Sequence, residues 1–131
     1  MAGALATNEY LFLMRGATWD KGLSPNEVQA GLEAMGSWLD DLRERGLLKS
    51  GQPLSGEGRV VSDAISDGPF VETKEAVGGY LLIQAASLEE ATQAAQICPV
   101  LKYGLVIEVR PILSDCHMIE AYDLDLSMTA R

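Results

Sequence analysis

The sequence predicts an α+β domain whose strands and helices follow the order β-α-β-β-α-β. An unbroken apolar run at residues 10–14 is typical of a central strand that is covered on both faces. Two Ser-x-x-Glu segments, beginning at Ser24 and Ser87, each mark the start of a helix. Strand-like runs lie between these helices and after the second one. This order is the ferredoxin-like arrangement, in which two helices cover one face of an antiparallel sheet.

The first elements are a predicted strand at residues 9–15 and a long helix. Ser24 supplies an N-cap hydroxyl, Pro25 suits the first helical position, and Glu27 completes a capping box. Gly46 is predicted to end this helix. Apolar residues recur along one stripe of the helix, which predicts that the stripe is buried against the sheet. The stripe consists of Val28, Leu32, Met35, Leu39 and Leu42.

The remaining elements are predicted from shorter patterns. Residues 47–54 suit a short strand, and strands follow at residues 59–66 and 79–86. The second helix is predicted to stop at Pro99, and the last main strand covers residues 105–110.

One face of the predicted sheet has no helix over it, and we call it the helix-free face. Along the last strand, Leu105, Ile107 and Val109 alternate with the residues of this face. Its predicted members on that strand are Val106, Glu108 and Arg110, and Tyr80, Leu82 and Gln84 alternate in the same way with Leu81, Ile83 and Ala85. Such a half-apolar face is too apolar for open water, so we expect a second copy of the chain to cover it in a homodimer.

Length and composition indicate one domain of 131 residues, with a core at about residues 9–111 and an extension at 112–131. The net charge of −9 argues against binding to nucleic acid or to an anionic membrane surface. No apolar run is long enough to span a bilayer, and the first residues lack a secretion signal, so a cytoplasmic location is expected. Cys98 and Cys116 lack the spacing of metal ligands, and we expect no metal site and no cofactor.

The first candidate site is the turn-rich segment at residues 67–75, which interrupts two strand-like runs. It opens with Asp-Gly-Pro, a strong turn signal, and carries alternating charges. In the functional interpretation the segment borders a pocket, Phe70 packs on a ligand, and Glu72 or Lys74 contacts it. In the alternative, Asp67 caps the turn, Phe70 fills the core, and the two charged side chains are solvated.

The second candidate site is a cluster of charged residues on the helix-free face. Glu108 and Arg110 are two positions apart on one strand, and Arg15 and Asp63 are expected to approach them from neighbouring strands. Such a cluster could bind an acidic or polar ligand, or poise a carboxylate as a base. Alternatively, it forms a structural ion pair across the homodimer. Tyr80 adds a hydroxyl, although core or interface packing is the commoner role of such a residue.

Several short motifs in a fixed order resemble those of the YCII-related protein family. They are YLFLMRG at residues 10–16, DGPF at 67–70, GGY at 78–80, SLEEA at 87–91 and EVRP at 108–111. The resemblance implies a single YCII-related domain that pairs as a dimeric α+β barrel. It also implies a setting linked to sigma-factor and stress regulation. Some relatives are enzymes with a His near the start of the first helix, but residues 25–30 contain none, so we do not transfer that mechanism.

Three functional hypotheses follow. The first is a small-molecule-binding or regulatory protein without catalysis. The second is a cofactor-free isomerase or lyase that acts on a small polar organic acid through a carboxylate or Tyr80. The third is a protein of pure assembly. An enzyme would hold a cleft carboxylate with a raised pKa, a binding protein would hold a pocket without one, and an assembly protein would fill that space with side chains.

Overall fold

The main sheet has four antiparallel strands in the order β2-β5-β1-β6, which confirms the ferredoxin-like α+β class. The computed structural model describes residues 6–16, 18–67 and 76–128. Its strands are β1 Ala6–Arg15, β2 Leu48–Pro53, β3 Arg59–Val61, β4 Ile65–Asp67, β5 Val77–Gln84 and β6 Val106–Leu113. Its helices are α1 Pro25–Glu44, α2 Leu88–Gln96 and α3 His117–Ala121, and a short 3-10 turn covers Leu101–Tyr103.

Both main helices begin where the capping signals predict. The Ser24 hydroxyl accepts from the Glu27 N–H at 3.2 Å, and the Glu27 carboxylate accepts from the Ser24 N–H at 2.9 Å. That backbone donor holds the pKa of Glu27 below its ordinary value. At α2 the Ser87 hydroxyl accepts from Glu90 N–H at 3.1 Å, whereas the Glu90 carboxylate accepts from Ala86. None of the described helices combines the length and apolarity needed to cross a membrane.

The core lies between α1, α2 and one face of the sheet. Phe12 and Ile83, on neighbouring central strands, are fully buried, and they meet Leu42 of α1. The contribution of α2 is three buried alanines, Ala91, Ala94 and Ala95, whose small side chains bring this helix close to the sheet. Burial of these apolar side chains, rather than helix propensity, holds both helices in place.

The predicted stripe of α1 is partly wrong. The buried residues of this helix are Gly31, Trp38 and Leu42, while Leu32 is 58% exposed. The helix is turned so that Gly31 faces the ring of Trp19, where a Cβ would lie 3.0 Å from two ring carbons. This tertiary contact, which hydrophobic periodicity does not register, moves Leu32 to the flank of the buried face.

The prediction of one strand at residues 59–66 is also wrong. This stretch contributes β3 and most of β4, which pair only with each other in a separate two-stranded hairpin. Ser62 forms the turn, because its N–H donates to the Ala64 carbonyl at 2.8 Å and its hydroxyl accepts from the Ala64 N–H. The place beside β5 in the main sheet belongs instead to β2, the short strand predicted at residues 47–54.

The alternation predicted for the helix-free face is confirmed. In the sheet register, Leu13 lies between Tyr80 of β5 and Glu108 of β6, while its neighbour Phe12 lies between Leu81 and Val109 on the helix-covered side. The helix-free face includes Glu9, Leu11, Leu13 and Arg15 of β1, Tyr80, Leu82 and Gln84 of β5, and Val106, Glu108 and Arg110 of β6.

Candidate functional site

A cavity of about 340 Å³ lies between α1 and the helix-covered face of the sheet. It opens where β1 ends and where β5 begins, beside the last residues of β2. Its walls include Met14, Trp19, Met35, Trp38, Leu39 and Leu81, with a rim of backbone from residues 51–53 and 78–80. A cleft of this volume falls at the small end of the range that binds small organic molecules.

The two tryptophans in the walls are held rigidly. The Trp38 indole N–H donates to the Ala94 carbonyl at 3.0 Å, which joins α1 to the last turn of α2 and leaves only ring carbon for the cavity. The Trp19 ring stacks on Tyr103 with centroids 6.2 Å apart and rests against Gly31. Because both rings are fixed before any ligand arrives, binding to them costs little side-chain entropy.

Glycines at the strand ends let β2 and β5 approach each other closely at the rim of the cavity. A Cβ on Gly51 would lie 2.5 Å from a methyl of Leu81 and 2.7 Å from the Tyr80 carbonyl. A Cβ on Gly79 would lie 3.2 Å from the Gln52 carbonyl. The pairing of β1 with β5 also shifts beside Gly78, a β-bulge of the kind that is common next to binding sites.

The chemistry of the described cavity walls is apolar and polarisable. Behind Met35 lies Cys98, whose thiol contacts the Met35 sulfur at 3.5 Å. Burial raises the pKa of the Cys98 thiol, so it stays protonated and behaves as a small apolar group. None of the lining residues in the described part of the chain carries a formal charge. Flat rings and thioethers of this kind fit a small, planar, largely apolar molecule.

Three of the predicted charged residues do come together on the helix-free face. The Glu108 carboxylate lies 3.6 Å from Arg15 Nε through one oxygen and 3.7 Å from Arg110 Nη1 through the other. Arg15 Nε is buried and makes no hydrogen bond within the residues that the structure describes. Two guanidinium groups against one carboxylate leave this cluster with one net positive charge.

The remaining candidates are placed differently. The sequence predicts that Asp63 joins the cluster around Glu108. It lies exposed in the turn between β3 and β4 instead, outside the main sheet. Tyr80 alternates with Gly79 and Leu81, which directs its side chain to the helix-free face and only its backbone to the cavity.

A family model of the YCII-related domain matches residues 10–114. The chain belongs to the YCII-related family. One similar solved structure is the 5-chloro-2-hydroxyhydroquinone dehydrochlorinase of Burkholderia phenoliruptrix AC1100, in complex with 2,5-dihydroxybenzoquinone. It is 20% identical, the match covers 78% of this chain and 90% of that one, and the TM-score is 0.45. No curated protein matches the chain.

The DGPF motif of this YCII-related chain falls almost entirely outside the described residues. Asp67 ends β4, and only its backbone is described. Phe70, Glu72 and Lys74 lie in the segment 68–75, outside the described residues. In the sequence, that segment lies between the β3–β4 hairpin and Gly78, the first residue of β5 that lines the cavity.

Sequence reasoning missed the residues that form the cavity in this family member. Trp38 belongs to the buried core and Trp19 packs against it, and each also lines the cavity. The available signal was the glycine content of the neighbouring strand ends, at Gly51 and at Gly78-Gly79, because glycine inside a strand often marks a place of close approach.

Proposed function

We propose that this YCII-related protein binds a small, planar, largely apolar organic molecule in the cavity between α1 and the sheet. The observation that carries the proposal is a cavity of about 340 Å³ lined by Trp19 and Trp38 together with Met14 and Met35. An assembly protein would fill this volume with its own side chains, because empty apolar space in a core is destabilising.

The described side chains favour binding over catalysis at this site. A cofactor-free isomerase or lyase acting on a small polar organic acid is the alternative function, and at this cavity it needs a carboxylate with a raised pKa or the hydroxyl of Tyr80, whose side chain is directed to the opposite face of the sheet. Hydrogen bonds shift the pKa values of the Glu27 and Asp115 carboxyl groups downward, not upward. Neither lines the cavity. For the alternative to hold, Glu72 or a group from a second copy must supply the acid or base.

We also propose that the protein is a homodimer joined through the helix-free face. Leu11, Leu13 and Leu82 are only half-buried in the single chain, and the cluster around Glu108 lies beside them. Covering these leucines removes apolar surface from water at about 25 cal/mol per Å². A cytoplasmic, regulatory setting linked to sigma-factor or stress responses completes the proposal and rests on the family resemblance alone.

Binding can be measured without knowing the natural ligand. The chain contains two tryptophans, Trp19 and Trp38, and both line the cavity, so intrinsic fluorescence reports on this site directly. We use 4-fluorophenol as the probe and expect quenching that saturates, together with broadening of the fluorine NMR signal. A dissociation constant of roughly 1 mM or tighter is expected for so small a ligand.

A matched pair of variants locates the site. Leu39→Trp places a larger ring in the cavity and should abolish broadening of the probe signal. Leu48→Trp makes the same change at a half-buried position that packs on the core outside the cavity, and it should leave binding intact. Equal binding by the wild type and Leu39→Trp, with both proteins folded by circular dichroism, would refute the proposed site.

A further inference from the structure

The chain continues beyond β6 into a folded segment, residues 114–128, which we call the arm. The Asp115 carboxylate closes it: Oδ1 accepts from the N–H groups of Cys116 and Met128, both at 2.8 Å. Oδ2 accepts from the Ser127 hydroxyl at 3.0 Å. These bonds join the two ends of the arm across 13 residues, so its shape is fixed by its own contacts.

The middle of the arm is also fixed. At the end of α3, Leu124 N–H donates to the Ile119 carbonyl at 2.9 Å and Asp123 N–H donates to the Glu120 carbonyl at 3.3 Å. This is the Schellman pattern of a helix C-terminus. Asp123 occupies the left-handed position with φ 53°, where glycine is the usual residue. The capped end of α3 and the bonds to Asp115 therefore hold the arm in one conformation.

The surface of the arm is strongly apolar, and several of its large side chains are exposed among the residues that the structure describes. Tyr122 is 72% exposed and Leu126 is 62% exposed. The other large apolar side chains exposed on the arm are Met118, Leu124 and Met128. Five such residues lie within 11 positions, a concentration of exposed apolar side chains that favours an interaction surface over ordinary solvent exposure.

We infer that the arm docks on a second copy of this chain, against the helix-free face beside Arg15 and Arg110. The arm carries four carboxylates and no Lys or Arg, a net charge of −4 when its histidine is neutral. The cluster around Glu108 carries one net positive charge, and the Arg110 side chain is 66% exposed. Apolar and acidic groups of the arm thus meet apolar and basic groups of the face.

Charge also excludes the helical side of a second copy as the docking surface. Helix α1 carries five carboxylates against one arginine, Arg43, and α2 carries Glu89 and Glu90 with no basic residue. An arm of charge −4 is repelled from both helices. The inference rests on the proposed homodimer and adds to it the element that crosses from one copy to the other.

The first experiment uses the full chain with Tyr122→Glu and Leu126→Glu combined, and sedimentation velocity over a concentration series. Both side chains are exposed, so the fold should persist, while the dissociation constant of the dimer should rise at least ~30-fold. Leu32→Glu is the control, because it places a single glutamate at a leucine that is 58% exposed on α1, and it should leave the constant unchanged.

The second experiment shows whether the arm acts between copies. The arm variant is mixed with Arg110→Glu, and each is also studied alone. If the arm of one copy docks on the face of the other, only the mixed dimer brings an intact arm against an intact face. The mixture should therefore associate more tightly than either variant alone. A mixture that behaves as the average of its two components would overturn the inference.

The outcomes separate this inference from the homodimer on which it rests. A wild-type chain that is still monomeric at about 50 μM would refute both the proposed homodimer and the proposed docking of the arm. A wild-type dimer whose constant is the same in the arm variant and the control would remove the arm alone. Binding of 4-fluorophenol is measured separately by fluorescence and is unaffected by either result.

Discussion

Replacing Trp38 by Phe should destabilise the protein more than the loss of ring atoms alone can explain. Trp38 is 5% exposed, and its indole N–H donates to the carbonyl of Ala94 at 3.0 Å. That carbonyl belongs to the last turn of α2, where the Cys98 N–H bonds to Ala95 instead. It is therefore one of the carbonyl groups that a helix end cannot satisfy by itself.

The magnitude follows from these contacts. Phe keeps an aromatic ring but has no donor, and Ala94 is 1% exposed, so water has poor access to the carbonyl. A buried carbonyl without its hydrogen bond costs about 1–3 kcal/mol. The smaller ring leaves a void next to the cavity, which adds about 1 kcal/mol. The free energy of unfolding should therefore fall by about 2–4 kcal/mol in Trp38→Phe.

Urea denaturation followed by circular dichroism measures this loss. With a slope of about 1.5 kcal/mol per molar urea, the midpoint should fall by roughly 1–3 M. Trp19→Phe is the matched control, since it removes the same atoms from a half-buried ring and should cost about 1 kcal/mol or less. Equal midpoints for the two variants would show that the bond from Trp38 to Ala94 contributes nothing to stability.

The remaining predictions concern the surface, the DGPF segment and the arm. Arg110→Ala removes one partner of Glu108 and should weaken dimerisation roughly threefold to tenfold; an unchanged sedimentation profile would count against the proposed face. Glu72→Ala combined with Lys74→Ala should alter ligand binding without lowering the melting temperature; equal loss of both would indicate a packing role for the segment. Hydrogen bonds lower the pKa of Asp115 in the folded arm. The stabilisation that Asp115 gives to the closed arm is therefore complete above the pKa of an unfolded Asp, roughly 3.9, and is lost as the pH falls through the lower pKa of the folded state. The protection factor of the Met128 amide, which compares its exchange with the intrinsic rate at the same pH, should fall only at such acid pH, and a loss of protection already near neutrality would contradict this. Asp123→Gly removes the strain of a non-glycine residue in the left-handed conformation, so amide exchange at Leu124 should slow by a factor that corresponds to about 1 kcal/mol. Faster exchange would contradict the left-handed helix end at Asp123.

Local signals in the sequence account for the parts of the fold that were predicted correctly. Ser24 and Ser87 bond to backbone groups three residues away, so the start of each helix depends on a few neighbouring residues. The alternation of residues in β6 depends on the geometry of a single strand. Such features are visible in a sequence because the interacting groups are close together along it.

Features that join distant segments could not be predicted in the same way. Val60 and Val61 suit a central strand by composition, but the turn at Ser62 folds them into a hairpin of their own. Leu32 fits an apolar stripe, but the contact between Trp19 and Gly31 turns the helix away from it. The cavity depends on such long-range contacts throughout, and no single motif describes it.

The same two strands serve the cavity and the helix-free face, and the sheet register keeps these sites separate. Met14 lines the cavity, whereas the next residue, Arg15, pairs with Glu108 on the opposite face. On β5, Leu81 lines the cavity and Tyr80 is directed to the helix-free face. A slip of one residue between β1 and β5 would exchange these sets, placing a guanidinium in an apolar cavity and a thioether among charges. The cost of burying that unpaired charge therefore disfavours a one-residue slip.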